Sequence, residues 1–394
     1  MIKREAGFTL VELMITMVVF VLIIAAASGV FTGLLTQFKQ QSRIAETNIE
    51  GIVGLEILRQ DIEHAGYGLP WNLNGASYQE AANISETSWA DSDFNDGPPD
   101  NPARDADSAG ASNPPAGIRS GNGSSLYGSD VLAIKAINVS RDSTSKKWTP
   151  LKANPSFSDE YNPRQWTPGT ENLNPNDNVI VLQTGGAGNQ RAMVVSGESF
   201  STSYNNIISS PWPPTGVAET HLVYGVAGSD VPSLRMPFNR ADYYIRIPDA
   251  MPQGCAPNTG ILYKATVRHD DGGLDELPLL DCVADIQVTF WLDTDGDGNI
   301  DWPPSDSIFD FTAQQIREQV REVRVYIVAQ EGQKDINYDF SLGGSKEYLS
   351  ATESLGPNSR TIDFVNLKTE IGDPEYKYYR WKLYTLVVKP NNLR

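Results

Sequence analysis

The chain has 394 residues, with 49 Asp and Glu against 31 Lys and Arg, for a formal net charge of −18. This excess of carboxylate argues against a nucleic-acid partner, since binding one requires Lys and Arg to neutralise phosphates. Two cysteines and three histidines (His64, His221 and His269), none close to a cysteine in sequence, exclude a four-thiolate zinc site or an iron–sulfur cluster built by this chain alone.

The N-terminus opens with a short basic stretch, Lys3 and Arg4, closed by Gly7. From Phe8 to Leu35 the sole charged residue is Glu12, and no proline occurs before Pro70. At about 1.5 Å per residue this stretch is long enough, as a helix, to cross an apolar core of about 30 Å. The preceding basic residues orient it with the N-terminus in the cytoplasm and everything after it exported. An ordinary secretory signal places its cleavage site after the apolar core; here the basic leader and glycine come first. Ala25-Ala26-Ala27-Ser28 is the one segment that mimics the ordinary site. An acid at the bilayer centre costs about 2.5–3.5 kcal/mol, so Glu12 needs a partner or an interfacial position facing headgroups.

Gly7-Phe8-Thr9-Leu10-Val11-Glu12-Leu13 resembles the processing site of type IV prepilins and pseudopilins. The resemblance implies cleavage after Gly7 by a prepilin peptidase and N-methylation of Phe8. It also implies pairing of Glu12 with the N-terminal amine of a neighbouring subunit. An ammonium suits a carboxylate buried among apolar helices, and such a pair can fix register. The chain departs from many major pilins in lacking a proline within the apolar stretch. Gly29 and Gly33 stand there instead, a pair of small residues spaced for close helix approach.

Residues 36–66 continue the helix, with Ile44, Ile52, Leu55, Ile57, Leu58 and Ile62 at roughly helical spacing. Lys39, Arg43, Glu46, Glu50, Arg59 and Asp61 are expected to fill the remaining surface. Gly66 is available for a left-handed cap, Pro70 cannot continue the helix, and His64 suits its C-terminal end. Leu58 to Gly68, ending Ala-Gly-Tyr-Gly, is similar to the helix end of PilW-type minor pilins.

The helix thus spans 8–66, followed by a polar segment at 67–128. Its part from 72 onward is so rich in Ser, Asn, Asp, Gly, Ala and Pro that it reads as a surface loop or disordered insertion. From 129 to 394 the signals are β. Val131–Ile137 is an apolar run broken by Lys135, and Val179–Leu182 and Ala192–Val195 read as a hairpin around Gly185–Asn189. Ile286, Val288, Phe290 and Leu292 alternate with polar or bulky partners as a strand with one apolar face. Thr312 and Gln315 are spaced as a capping box for a helix over Ala313–Val320. Val323, Val325 and Ile327 form another one-faced strand, and Tyr379, Trp381, Leu383 and Val387 share one parity in a last one. Leu277 to Val288, followed by an acidic glycine loop, again resembles PilW-type subunits. The expected fold is α+β: a long N-terminal membrane-spanning helix whose exported half packs on an antiparallel sheet, as in pilins.

Two sites stand out. Asp293, Asp295, Asp297, Asn299 and Asp301 offer oxygen at alternate positions with Gly296 and Gly298 in the turn, a pattern suited to Ca²⁺. The twelfth position is Pro304 rather than a bidentate Glu, leaving Asp306, Asp310 or water to complete the shell. The alternative is a solvated acidic turn. Cys255 and Cys282 lie in exported sequence, where a structural disulfide persists, the alternative being two separate buried thiols. His221 and His269 read as ordinary surface or sheet residues, and no catalytic constellation emerges, so an enzyme is not expected.

The leading reading is a minor pilin of the PilW type, inserted in the bacterial inner membrane and then part of a pilus at the cell surface. Its partners are other minor and major pilins, the prepilin peptidase and a large tip adhesin. A J-type minor pseudopilin of type II secretion is the alternative within the same fold. A membrane-anchored calcium-dependent binding protein is the alternative outside it.

Overall fold

Thr9 begins the first helix because its side chain and that of Glu12 satisfy each other's backbone amides, a capping box at the first turn. The computed structural model describes residues 9–82, 94–96, 114–154, 157–184, 191–216, 219–340, 348–350, 361–363 and 376–393. Helix α1 runs unbroken over Leu10–His64. It ends where Gly66 takes a φ of +83°, which a residue with a side chain adopts only under strain. A Cβ on Gly66 would also lie 2.9 Å from the Asn392 carbonyl oxygen. The amide of Asn391 donates to the Glu63 carbonyl at 2.9 Å, tying the last turn to residues that follow the final strand.

Fifteen strands follow among the described residues. They are β1 (Ile118–Gly121), β2 (Val131–Ala136), β3 (Trp148–Asn154), β4 (Phe157–Pro163), β5 (Asn178–Thr184), β6 (Ala192–Met193), β7 (Thr202–Ser203) and β8 (Thr220–Ala227). Next come β9 (Asn239–Arg246), β10 (Gly260–Val267), β11 (Leu274–Leu292), β12 (Val320–Glu331), β13 (Tyr348–Ser350), β14 (Thr361–Asp363) and β15 (Arg380–Val388). A short helix, α2 (Ala313–Gln319), precedes β12 and is opened by the expected Thr312–Gln315 capping box.

The main sheet is antiparallel in the order β1-β2-β9-β10-β11-β12-β15. A second antiparallel sheet, ordered β4-β3-β8-β5-β6 with β7 on β5, lies in sequence between β2 and β9, which are neighbours in the first. The β-rich region expected over 129–394 therefore divides, among the described residues, into two large sheets and a separate antiparallel pair, β13 with β14. The hairpin reading of β5 and β6 is realised through Leu182 opposite Met193, while its turn lies outside the described residues.

The C-terminal half of α1 lies on the main sheet, with Leu55, Leu58 and Ile62 buried among Val283, Ile286, Val288, Val323, Val325 and Ile327. Each such side chain contributes about 1.5–3 kcal/mol by leaving water. Gly54 sets the approach: a Cβ there would sit 2.2 Å from the Leu279 carbonyl oxygen. Two expectations about faces need correction. Gln287, Thr289 and Trp291 are buried as well, so β11 is covered on both sides. In β15, Trp381 and Leu383 join a satellite cluster, Val387 is exposed, and Leu386 and Val388 supply the contact with the helix-side core.

The polar segment after the helix is not simply a surface loop. Leu73, Ala76, Tyr78, Ala81 and Phe94 are buried, and β1 belongs to the main sheet. Glu80 and Asp96 are carried into the interior, where Lys135 of β2 donates to Glu80 at 2.7 Å and to Asp96 at 2.6 Å. Arg119 reaches Asp96 at 2.7 Å. Arg240 joins Glu80 at 3.1 Å and Asp242 at 2.8 Å. All six side chains are essentially excluded from solvent. Residues 83–93 and 97–113, expected to be loop, lie outside the described residues.

Candidate functional site

The first half of α1 is built for an environment this chain does not supply. The most apolar stretch of Leu10–Lys39 has a mean hydropathy of 2.8 and no part of it is buried, so the segment is long and apolar enough to cross a membrane. Two of its hydroxyls are satisfied within the helix: Thr16 donates to the Leu13 carbonyl at 2.9 Å, and Thr32 to those of Ser28 and Gly29 at 3.0 Å. That removes the cost of carrying them into hydrocarbon. A Cβ on Gly29 or Gly33 would meet nothing within 4 Å, so neither glycine is required by packing inside the chain.

Glu12 is engaged through one oxygen. The Thr9 amide and hydroxyl both donate to Oε2 at 2.9 Å, which leaves Oε1 without a partner among the described residues. Gly7 and Phe8, the expected processing residues, lie outside the described residues.

Above the apolar half, Asp61 departs from its expected surface position. It is buried, accepting a hydrogen bond from the Tyr243 hydroxyl and pairing with Lys264. Burial pushes its carboxyl above the ordinary range, and Lys264 and Tyr243 offset only part of that. His64 is exposed at the helix end with Nδ1 2.8 Å from the Gln60 carbonyl oxygen. His221 and His269 are both buried rather than on the surface.

The acidic loop joins β11 to the segment before α2. Asp293, Asp295 and Asp297 bring ligand oxygens within 4.8 Å of one another, a triad with two exposed members and one buried that could bind a metal. Asp293 is buried, and Oδ2 receives Nη2 of Arg321 at 2.6 Å and Nε at 2.9 Å. Its Oδ1 receives the Gly296 amide at 2.8 Å. These bonds, Arg321 first, hold its carboxyl below the usual range. The other two expected donors do not converge. Asp301 accepts from the Thr294 amide at 2.6 Å and from its hydroxyl at 2.5 Å, while the Asn299 side chain donates to Asp297 at 2.9 Å. Asp306 and Asp310 are not among the gathered oxygens. The donor chemistry fits a hard cation, but Arg321 already supplies one positive charge at its anchor.

Cys255 and Cys282 are joined in a disulfide, which ties the loop before β10 to β11. Glu80 and Asp96 were hidden in a polar stretch of the sequence. The signal that points to them is Lys135: a lysine inside an otherwise apolar strand needs a buried carboxylate.

Residues 2–28 match the family model described as the prokaryotic N-terminal methylation motif. Over these residues the chain carries the N-terminal methylation motif that type IV pilin-like proteins share. The motif implies processing by a prepilin peptidase, anchoring in the membrane by the apolar helix, and assembly with other pilins into a pilus-like filament. Proteins of this kind are generally structural rather than enzymatic. None of the curated proteins matches. A type IV-like pilin from Thermus thermophilus is similar at 11% identity over 40% of this chain and 69% of its own, with a TM-score of 0.19. That likeness is too weak to carry an argument about fold or function.

Proposed function

We propose that the chain is a structural minor pilin of the PilW type, assisting initiation or tip-complex formation of a type IV pilus after residues 1–7 are removed. The observation that carries this reading is the division of one continuous helix. Its C-terminal half packs on the sheet, while the most apolar stretch of Leu10–Lys39 below it has no cover among the described residues. Those residues suit hydrocarbon before assembly and the helices of other pilins afterwards. Exposed Ile52 and Val53 extend the apolar surface beyond the membrane segment. The free Oε1 of Glu12 is available to a neighbour's N-terminal amine. Gly29 and Gly33, unneeded by internal packing, suit close approach of a second helix.

Mass spectrometry of sheared pili should find a terminal peptide beginning with N-methylated Phe8. Glu12→Ala should be processed normally but recovered in filaments at a small fraction of the wild-type level. Wild-type recovery would reduce Glu12 to an interfacial carboxylate. Co-isolation with secretion pseudopilins in place of pilins would move the chain to the J-type reading. The aspartate triad supports an additional role in which Ca²⁺ orders the loop from Asp293 to Asp301. Asp293, Asp295 and Asp297 would hold the ion, with Asn299 and Asp301 recruited by a shift of the loop.

A further inference from the structure

On the second sheet a groove of about 370 Å³ is lined by Lys146, Lys147, Trp148, Trp166, Thr170 and Glu171. Its volume falls within the usual span of small-ligand sites, about 300–1,000 Å³. The two indoles meet at an angle of 57° with centroids 5.2 Å apart, both half-buried. Trp166 spends its polar edge inward, donating Nε1–H to the Trp148 carbonyl at 2.7 Å. What remains for the groove is carbon and π surface.

The wall is set before any ligand arrives. The Arg164 guanidinium lies 4.2 Å from the Trp166 ring centroid, and the Asn172 side chain brackets the Trp166 backbone, accepting from its amide at 2.7 Å and donating to its carbonyl at 3.2 Å. Tyr224 stacks near Trp148 at 6.4 Å. Lys147 is fixed to β8 through its carbonyl, which accepts from the Gly225 amide at 3.0 Å. Rigid aromatic walls reduce the ordering cost of binding. Among the described residues, the side chains of Lys146, Lys147 and Glu171 enter no ion pair.

We infer that this groove binds a saccharide unit bearing a carboxylate, such as a hexuronate. Ring C–H groups pack on the indoles, the carboxylate meets Lys146 and Lys147, and Glu171 and Thr170 bond hydroxyls. The two lysines give a local positive excess on a chain of net charge −18.

The inference is independent of filament assembly and is read on the full chain in detergent. Polygalacturonate should bind at least tenfold more tightly than neutral dextran. Trp166→Ala should lose at least tenfold in affinity. Lys146→Gln combined with Lys147→Gln, two changes away from the packed core, should bring polygalacturonate to the dextran level while the melting curve is unchanged. Dextran sulfate or single-stranded DNA binding as tightly as polygalacturonate would reduce the groove to charge attraction and overturn the inference. So would unaltered polygalacturonate binding in both variants.

Discussion

Two clusters of carboxylates in this chain share a residue type and differ in everything else. Inside, Glu80, Asp96 and Asp242 face Lys135, Arg119 and Arg240, one cation for each acid, with solvent excluded. In the loop after β11, Asp293, Asp295 and Asp297 gather with one cation among the described residues, Arg321, bonded to Asp293. Burial by itself pushes the Asp96 carboxyl up, yet Arg119 and Lys135 outweigh it and hold the group well below the ordinary range. In this buried network each acid is matched by a cation, whereas the loop triad carries a deficit of positive charge and keeps coordinating capacity for a cation.

The most severe way to break this comparison is Lys135→Met, which leaves Glu80 and Asp96 facing two cations instead of three. Removing one partner of a buried ion pair costs about 3–5 kcal/mol. Thermal melts of the detergent-solubilised chain should show a large fall in midpoint, and an unchanged midpoint would mean the network is not buried.

The next test sets a buried titratable ring against the exposed His64. Burial brings His269 down to about 4. The Arg235 amide donates to its Nδ1 at 3.3 Å, so the ring proton sits on Nε2 and faces Asn239 Oδ1 at 3.0 Å. The unfolded ring, with a pKa near 6.5, binds a proton before the folded one does. Its stabilisation is complete above about pH 6.5 and is lost as pH falls toward 4, on the order of 3 kcal/mol in all. Asp142 and Asp270 oppose the shift and Arg235 adds to it. His269→Gln should flatten the stability slope between pH 7 and pH 5, and an equal slope in both proteins would refute the assignment.

The smallest effect sharpens the surface side. Calcium at a hundredfold excess over Kd should stabilise the fold by about 2.7 kcal/mol. Arg321→Gln should lower metal-free stability and increase the calcium-dependent rise in melting temperature, because Asp293 is then released to the ion. Equal melting in calcium and chelator for both proteins would make the loop a solvated turn.

The elements legible in the sequence are those fixed by neighbouring residues. The reach of α1, its stop at Gly66, the capping box of α2 and the paired strands β5 and β6 all depend on signals a few residues apart. What the sequence hid depends on distant chain segments meeting. Asp61 looked exposed because Tyr243 and Lys264 come from other strands, and Glu80 looked solvated because Arg240 lies far along the chain. The acidic loop was partly readable. Its first three aspartates converge, but Thr294 captures Asp301 through a local bond that alternating oxygens cannot reveal.

The placement of the second sheet between β2 and β9 has a temporal consequence. In a chain made from its N-terminus onward, β1 and β2 appear long before β9, the neighbour that pairs with Leu132–Ala136. Until residues 137–238 have emerged, that edge presents open amides and carbonyls, a template for pairing with any passing strand. The delay is the entropic cost of a distant contact, here imposed by topology. Rapid collapse of the inserted sheet shortens the time during which β2 is unpaired, since it draws Ala136 and Asn239 together before β9 forms. The insertion then acts as a timer for the main sheet, and mutations that slow its folding should surface first as aggregation during export.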